Sequence, residues 1–219
     1  MVCLRRILPE DRERMLDILT SDKVNKTYML PDFENREAAA PLYDRLMGMS
    51  QGESKYVRAI ALGGDLVGFL NQVEVENNTI ELGYVIHPDF HGKGYMTKAL
   101  QLALEELFAM GYQEVITGAF STNAASIRVM EKCGMIRQEK TDEIEYRGIT
   151  HNCVYYSCRK DKKTFRCCFC DNTVTPRNAY ALNIRRAYDH NGTEQELYCC
   201  CGCLESQLAD KKLLYLKYM

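Results

Sequence analysis

The sequence contains no long hydrophobic run and no excess of basic residues, and each absence excludes a class of protein. No stretch approaches the about 18 consecutive apolar residues that a transmembrane helix needs. The N-terminus, MVCLRRILPEDRERML, reaches charged residues too early for a secretory signal. With 28 Lys and Arg against 30 Asp and Glu, the net charge of −2 gives no basis for nucleic-acid binding. We therefore expect a cytoplasmic protein that binds neither membranes nor nucleic acids.

Cysteine is unevenly distributed along the 219 residues. Of 11 cysteines, four lie before residue 160 and the other seven lie in the last quarter of the chain. In a reducing compartment, clustered cysteines indicate metal binding before disulfides. A charged run at residues 159–163 precedes the cluster and has the composition of a linker. We therefore predict two domains, residues 1–162 and a cysteine-rich module at 163–219.

The first domain has the hydrophobic pattern of an α/β fold. Three runs that suit strands, 56–62, 66–75 and 79–86, are separated by short turn sequences and predict an antiparallel meander. Residues 97–110 have the apolar spacing of a helix, and 114–120 predicts a buried strand. A helix between two such strands indicates one parallel pair joined by a crossover.

Further helices are predicted for residues 9–19 and 35–49, and Pro41 is expected to break the second into two pieces. Asn123 has the position of a helix cap, and two last strands are predicted between 135 and 158. The predicted domain is therefore α/β, with a mixed, mostly antiparallel sheet flanked by helices.

A glycine-rich loop stands before the helix at 97–110. Residues 87–100 read HPDFHGKGYMTKAL, so Gly92 and Gly94 flank Lys93 just ahead of that helix. A helix N-terminus exposes unpaired N–H groups, and glycines let the backbone approach an anion. The loop predicts phosphate binding or, alternatively, a turn in which glycine serves geometry alone. Its glycine spacing matches neither a dinucleotide-binding fingerprint nor a Walker A loop.

A second motif follows the next strand, and the two motifs together resemble the GNAT acyltransferase superfamily. In that family a strand ending in Val/Ile-x-Pro leads into a loop Arg/Gln-x-x-Gly-x-Gly/Ala, which here is Ile86-His87-Pro88 with His91, Gly92, Lys93, Gly94, Tyr95 and Met96. The family's second motif, Asn-x-x-Ala/Ser and then Glu-Lys-x-Gly-Phe, is matched by Asn123, Ser126, Glu131, Lys132, Gly134 and Met135. The pair Gly83-Tyr84 resembles the branch that acetylates the N-termini of ribosomal proteins. The resemblance covers residues 1 to about 160.

The resemblance implies that acetyl-CoA is the co-substrate. Its pyrophosphate would lie on the loop and first helical turn, at His91, Gly92, Lys93, Gly94, Tyr95, Met96 and Thr97. The pantetheine arm would pair with the main chain of Val85 and Ile86 like an added strand, and Asn123 and Ser126 would face the thioester. Two residues depart from the family pattern. His91 stands where Arg or Gln is usual, and Met96 must turn its side chain away from the phosphates.

Acetyl transfer to an amine needs a neutral nucleophile, a polarised carbonyl and a proton for the thiolate that leaves. Glu81, at the start of the strand beside the cofactor, is the candidate base; it is alternatively a solvated strand-end carboxylate. Many relatives use a tyrosine as the acid at a position that Met130 occupies here, so Ser126 becomes the candidate, or alternatively a residue bonding its own helix start. Tyr84 is a further possible donor.

The predicted function is acetyl-CoA-dependent acetylation of a primary amine, with a protein N-terminal α-amine as the first candidate acceptor. One alternative is a regulatory protein that senses acyl-CoA with a degenerate fold. Another is an acetyltransferase of aminoglycosides or polyamines, for which the acids between residues 32 and 53 would line an acidic cleft.

The cysteine-rich module predicts a structural zinc site. Cys167 and Cys170 form a Cys-x-x-Cys pair, and a run of cysteines from 199 to 203 follows a turn at Asn191-Gly192. The sequence around this run resembles the second half of treble-clef fingers, which favours Cys199 with Cys203; a generic knuckle would instead use Cys200 with Cys203. The alternative is that these residues form disulfides or are free thiols.

Overall fold

The structure is a computed structural model that describes residues 1–160, 165–174, 179–185 and 194–207. The chain separates into two compact units, Met1–Lys160 and Asp161–Met219. The predicted turn at Asn191-Gly192 lies outside the described residues. Among the helices that are described, none is long and apolar enough to cross a membrane.

The first unit contains one sheet of seven strands in the order β1-β2-β3-β4-β5-β7-β6. Neighbouring strands are antiparallel except for β4 and β5, which are parallel. The predicted mixed, mostly antiparallel sheet is therefore confirmed. The strands are β1 Val2–Arg5, β2 Val57–Leu62, β3 Asp65–Glu76, β4 Thr79–Ile86, β5 Glu114–Phe120, β6 Ile136–Tyr146 and β7 Ile149–Arg159.

Helices cover both faces of this sheet. A helix crosses between the parallel strands β4 and β5, as the sequence predicted, and a second follows β5. The helices are α1 Arg12–Leu19, α2 Asp22–Asn25, α3 Arg36–Gln51, α4 Tyr95–Ala109 and α5 Ala124–Lys132. Short 3-10 turns occupy Pro9–Asp11 and Pro88–Phe90.

The alternation of side chains along the strands divides the core between the two faces. In β4, Ile80, Leu82 and Ile86 pack with α4 against one face, whereas Val85 packs with α1 and α3 against the other. On this second face, β5, β7 and β6 carry a smaller cluster built around Phe120, Cys153 and Tyr155. Adjacent residues of β4 thus serve opposite faces, as the two-residue period of a strand requires.

Three features of the first unit differ from the sequence prediction. Pro41 lies inside one continuous helix, α3, and does not break it. Proline so near a helix start removes a single backbone bond, and Asn35 fixes that start by accepting from the N–H of Ala38 at 2.9 Å. The strand β1 and the short helix α2 were not predicted, because four residues are too few to establish a period.

The described residues of the second unit form two pairs of antiparallel strands and a helix. The first pair is β8 Phe165–Arg166 with β9 Thr173–Val174, and the second is β10 Ala179–Arg185 with β11 Glu194–Cys200. The helix α6 Cys201–Gln207 follows β11 directly.

We expect the contact between Arg5 and Asp11 to stabilise the first unit. Asp11 is 4% exposed, receives two hydrogen bonds from Arg5 at 2.6 and 2.8 Å, and accepts the N–H of Leu8 at 2.8 Å. Replacing Asp11 by Ala leaves a partly buried guanidinium and a main-chain donor unpaired, so unfolding should become easier by about 3 kcal/mol. Chemical denaturation measures the change.

A matched control is Asp17→Ala. Asp17 pairs with Arg36 at 3.1 Å, but both side chains are 42% exposed. An exposed pair contributes at most about 1 kcal/mol. Equal denaturation midpoints for the Asp11 and Asp17 variants would contradict this account.

Candidate active site

A cleft opens where β4 and β5 part. Within the fully described first unit, these strands pair only between Thr79–Glu81 and Glu114–Ile116. Beyond that point a cavity of about 370 Å³ lies between them. The edge of β4 from Gly83 to Ile86 borders this space without a neighbouring strand. The lining also includes the start of α4, the start of α5 and the residues after α2, so both sequence motifs meet here.

The glycine loop has the conformation that an anion site needs. Gly92 and Gly94 have φ angles of 74° and 77°, and a side chain added at either would meet no atom within 4 Å. The helix α4 begins at Tyr95, and its cap, Gly94, supplies no side-chain partner. The N–H groups of the first turn, including those of Met96 and Thr97, have no carbonyl of the preceding turn to bond. The loop and helix therefore present unpaired donors to the cleft.

The side chains of the loop turn away from these donors. Met96 is 7% exposed and packs in the core beside α4, so it leaves the first-turn amides open. The ammonium group of Lys93 donates to the carbonyl oxygen of Asp89 at 2.9 Å. Backbone donors, rather than a lysine side chain, thus face the cavity.

His91 contacts the strand end and lines the cleft. Its Nε2 lies 2.9 Å from the carbonyl oxygen of Ile86. The sequence predicted His91 as a phosphate contact and Ile86 as a main-chain partner of the cofactor. In the structure these two groups bond each other. Val85 and Gly83 alternate with Ile86 and direct their main-chain groups toward β3, as the bond from the His87 N–H to the Val67 carbonyl oxygen shows. The open part of the β4 edge is therefore the main chain of Tyr84 and the N–H of Ile86.

The start of α5 brings Ser126 to Tyr84. Asn123 caps the helix, and its Oδ1 accepts from the N–H of Ser126 at 3.1 Å. The hydroxyl of Ser126 instead lies 2.6 Å from the hydroxyl of Tyr84. The alternative that the Ser126 hydroxyl bonds its own helix start therefore does not hold. Two residues that the sequence named as candidate proton donors form one hydrogen-bonded pair.

Burial raises the pKa of Tyr84 to about 12, although hydrogen bonds from Ser126 and Thr117 act in the opposite direction. Tyr84 is therefore a neutral hydroxyl at physiological pH, with a proton to give. Met130, at the position where relatives carry a tyrosine, is fully buried, and its sulfur accepts from Thr117 at 3.0 Å. Met130 cannot donate a proton, so Tyr84 and Ser126 are the hydroxyls available on this side of the cleft.

Glu81 lies on the second face of the sheet, one strand period before Gly83. Burial is the largest cause that raises the pKa of Glu81; Glu74 and Asp142 add to the rise, and Lys140 opposes it. Glu81 is absent from the residues of the first unit that line the cleft.

The structure adds a residue that the sequence did not indicate, Tyr28. It follows α2, lines the cleft, and donates a hydrogen bond to Oδ1 of Asn71 on β3. Neither the spacing of Tyr28 in the sequence nor its neighbouring residues indicate a functional role, since it lies far upstream of both motifs. The one available signal was Gly83, because a glycine inside a strand indicates close approach by another group.

Other polar residues near the two motifs have structural roles. Cys133 donates its thiol to the carbonyl oxygen of Thr97 at 3.4 Å, and burial raises its pKa to about 12, so it is not a nucleophile. His87 accepts from the N–H of Asp89 at 3.2 Å in the turn after β4. None of the acids between residues 32 and 53 lines the cleft.

The second unit contains a group of four cysteines. The sulfur atoms of Cys167, Cys170, Cys200 and Cys203 all lie within 4.8 Å of one another. Cys170 and Cys200 are 4.0 Å apart, close to the about 3.8 Å between sulfurs of a tetrahedral site with zinc–sulfur bonds of about 2.3 Å. The N–H of Cys200 points at the Cys167 sulfur at 3.3 Å and lowers the pKa of that thiol to about 6. Four thiols, one of which loses its proton readily, form a donor set that suits zinc.

Cys199, which the treble-clef resemblance favoured, is not part of this group. It is buried, and its thiol lies 3.8 Å from the carbonyl oxygen of Tyr180 on β10. Adjacent residues of a strand point to opposite sides, so only one of Cys199 and Cys200 can face Cys203. The structure selects the alternative set, with Cys200.

Comparison with known proteins identifies the family of the first unit. Residues 1–136 match the family described as "Acetyltransferase (GNAT) domain". The Bacillus subtilis protein named "Putative ribosomal N-acetyltransferase YdaF" is 27% identical over 170 residues, covering 73% of this chain and 91% of its own. A GNAT-family acetyltransferase structure from Bacillus anthracis aligns with a TM-score of 0.63 and 25% identity, over 72% of this chain and 94% of that one.

A third comparison is with the microcin C7 self-immunity acetyltransferase MccE, whose structure contains acetyl-CoA and AMP. It has a TM-score of 0.64 and 20% identity, over 73% of this chain and 92% of its own. The chain belongs to the GNAT acetyltransferase family, as the two sequence motifs predicted. It is an acetyl-CoA-dependent acetyltransferase.

Proposed function

We propose that this acetyltransferase acts on a protein N-terminal α-amine. The observation that carries the proposal is the cleft between β4 and β5, which has unpaired helix-start donors at one end and the Tyr84–Ser126 pair beside it. The sequence similarity to YdaF, whose name refers to ribosomal N-acetylation, supports this acceptor. An α-amine has a pKa near about 8, against about 10.4 for lysine, and so needs less help to lose its proton.

The cofactor is assigned to the cleft by the donors that line it. The pyrophosphate lies against the amides of residues 92–97, where the positive end of α4 and the unpaired N–H groups favour negative charge. The pantetheine arm runs along β4 at Tyr84 and Ile86, whose main-chain groups point away from β3 and toward the cleft. The thioester then lies near the start of α5, beside Asn123 and Ser126.

The residues around the thioester supply the proton transfers. The amine reacts in its neutral form. As its nitrogen attacks the carbonyl carbon, Glu81 takes one proton from that nitrogen through a water molecule. The main-chain N–H groups of β4 stabilise the developing oxyanion. As the carbon–sulfur bond breaks, the Tyr84–Ser126 pair gives a proton to the thiolate of coenzyme A. The product is an amide, and each proton has a donor and an acceptor.

The acceptor class is tested by incubating the full chain with acetyl-CoA and a set of amines while measuring free thiol. We expect peptides with a free N-terminal alanine or serine to react faster than an N-terminally blocked peptide that contains lysine. A faster reaction with spermidine or an aminoglycoside would favour the small-amine alternative. Thiol release no faster than hydrolysis with every amine would favour an acyl-CoA sensor.

The phosphate assignment predicts the effect of Gly94→Val. A branched side chain is strained at positive φ and blocks the approach of an anion. Loss of even one charge-assisted hydrogen bond weakens binding by about 10- to 100-fold. Calorimetry with acetyl-CoA measures the change. Gly63→Val is the control, because Gly63 has a φ of 65° and equally open surroundings outside the cleft; a folded Gly94→Val protein that binds normally contradicts the assignment.

The proton-donor assignment predicts that Ser126→Ala and Tyr84→Phe each lower kcat. General acid catalysis contributes about 10²- to 10⁴-fold, and each variant breaks the same hydrogen-bonded pair. We expect the double variant to be little worse than either single one, because the two hydroxyls act as a unit. Steady-state kinetics with saturating acetyl-CoA measures this. Fully additive losses would show that the two residues act separately.

The raised pKa of Glu81 predicts a pH effect of Asp142→Asn. Because the charge of Asp142 raises the Glu81 pKa, its removal lowers that pKa, and kcat is retained to lower pH. Glu143→Gln is the control, since Glu143 is the next residue of β6 and exposed on the other side of the strand. The measurement is the dependence of kcat on pH. If kcat of Asp142→Asn falls at the same acidic pH as that of the unaltered protein, Glu81 is not the base.

We also propose that Cys167, Cys170, Cys200 and Cys203 hold a structural zinc ion. The proximity of the four sulfurs and the two Cys-x-x-Cys spacings support this set. Four thiolates fill a tetrahedral site, so the ion would stabilise the small unit and take no part in catalysis.

The zinc proposal predicts about one zinc per chain in protein purified without chelator. The matched variants are Cys200→Ser and Cys199→Ser, which change neighbouring residues of β11. Zinc content should fall in the first and persist in the second, because only Cys200 faces the other three sulfurs. Elemental analysis decides between them, and the reverse result would restore the Cys199 ligand set.

A further inference from the structure

The hydroxyl of Tyr28 is held at the acceptor side of the cleft by two neighbours. Its ring lies edge-on to Phe69, with centroids 6.0 Å apart and planes at 88°. Its hydroxyl reaches Oδ1 of Asn71 across the strand β3. Tyr28 is half-buried, and both Tyr28 and Gly83, over which its hydroxyl lies, line the cleft.

Gly83 leaves the space that this hydroxyl occupies. A Cβ atom at position 83 would lie 2.9 Å from the Tyr28 hydroxyl oxygen and 3.2 Å from Oδ1 of Asn71. Any other residue would therefore displace the pair. The hydroxyl lies over the main chain of β4 just past Glu81, the last residue that pairs with β5.

The hydrogen-bond pattern fixes which way the Tyr28 hydroxyl points its proton. The Asn71 amide nitrogen donates to the carbonyl oxygen of Gln72 at 3.2 Å, which orients Oδ1 toward Tyr28. Since Oδ1 can only accept, Tyr28 must donate its single proton there. Burial raises the pKa of Tyr28, so the group remains a neutral hydroxyl. Toward the cleft, its oxygen has only lone pairs to offer.

The segment that contains Tyr28 is itself fixed to the β6–β7 hairpin. The hydroxyl of Tyr146 donates to the carbonyl oxygen of Leu30 at 3.1 Å and accepts from the N–H of Leu30 at 3.3 Å. Beside it, Arg147 forms an ion pair with Asp32. These contacts lie two and four residues after Tyr28 and restrict its movement.

We propose that the Tyr28 hydroxyl oxygen binds the acceptor by accepting a hydrogen bond from its amine N–H. Glu81 lies on the same face of β4, two residues or about 7 Å along the strand from Gly83. A neutral primary amine has two N–H bonds. One proton goes toward Glu81 through water, and the other N–H bonds Tyr28 as the nitrogen lone pair attacks. Tyr28 thereby selects primary over secondary amines. This inference rests on the proposed function, because it assigns a role at the same site.

The test compares two acceptors that differ by one N–H, an N-terminal alanine peptide and its N-methylalanine counterpart. Both are assayed with the protein and with Tyr28→Phe, which keeps the ring against Phe69. We expect the protein to prefer the primary amine. In Tyr28→Phe, kcat/KM for the primary amine should fall about 5- to 10-fold, the effect of one lost hydrogen bond, and the preference should fall by the same factor. Affinity for acetyl-CoA should be unchanged.

Two further variants separate this role from a structural one. Asn71→Leu leaves Tyr28 in place but removes the acceptor of its hydroxyl proton, so the hydroxyl is no longer held as an acceptor toward the cleft. This variant should reduce the preference for the primary amine, as Tyr28→Phe does. Tyr43→Phe removes a hydroxyl that lies outside the cleft and donates to the carbonyl oxygen of Leu8 at 3.2 Å. This variant should leave the preference unchanged.

Failure of the proposed acceptor is distinguishable from failure of this inference. If no peptide is acetylated but a small amine is, the comparison is made with that amine and its N-methyl derivative. A preference that is the same in Tyr28→Phe as in the unaltered protein overturns the role of Tyr28, whichever acceptor is used.

Discussion

The parting of β4 from β5 is the constraint on which the rest of the structure depends. The two strands share three paired residues each and then separate, so a central strand acquires a free edge inside the molecule. A free edge of backbone donors and acceptors must be satisfied by something. In this chain His91 satisfies the carbonyl oxygen of Ile86. The main chain of Tyr84 and the N–H of Ile86 remain open on that edge, which is where we propose that the amide groups of the pantetheine arm bind.

The same parting sets the positions of the chemical groups. It moves the starts of α4 and α5 to the two sides of one cavity, so that an anion site and the Ser126 hydroxyl lie along a single ligand. Tyr84 reaches Ser126 from one face of β4, and Glu81 and Gly83 belong to the other face. Because strand residues alternate between faces, one strand of eight residues carries the proposed acid on one side, and the proposed base with the Tyr28 contact on the other.

The sequence predicted the elements and motifs well where a local rule determines them. The period of the strands, the glycines before α4 and the Asn123 cap are each determined by neighbouring residues, and the GNAT resemblance that they carry was confirmed. The pairing of Ser126 with Tyr84 and the position of Tyr28 were not predictable, because they join segments 42 and 55 residues apart. The choice between Cys199 and Cys200 likewise depended on the direction of one strand residue, which the register of β10 and β11 determines.

The most direct test of the central claim is amide hydrogen exchange of the protein with and without coenzyme A. If the cofactor completes the free edge of β4 and caps α4, exchange should slow at Tyr84, Ile86 and residues 94–97 when coenzyme A is added. The hairpin of β6 and β7, on the far side of β5, should change little. Protection confined to other strands, with β4 unaffected, would contradict the account.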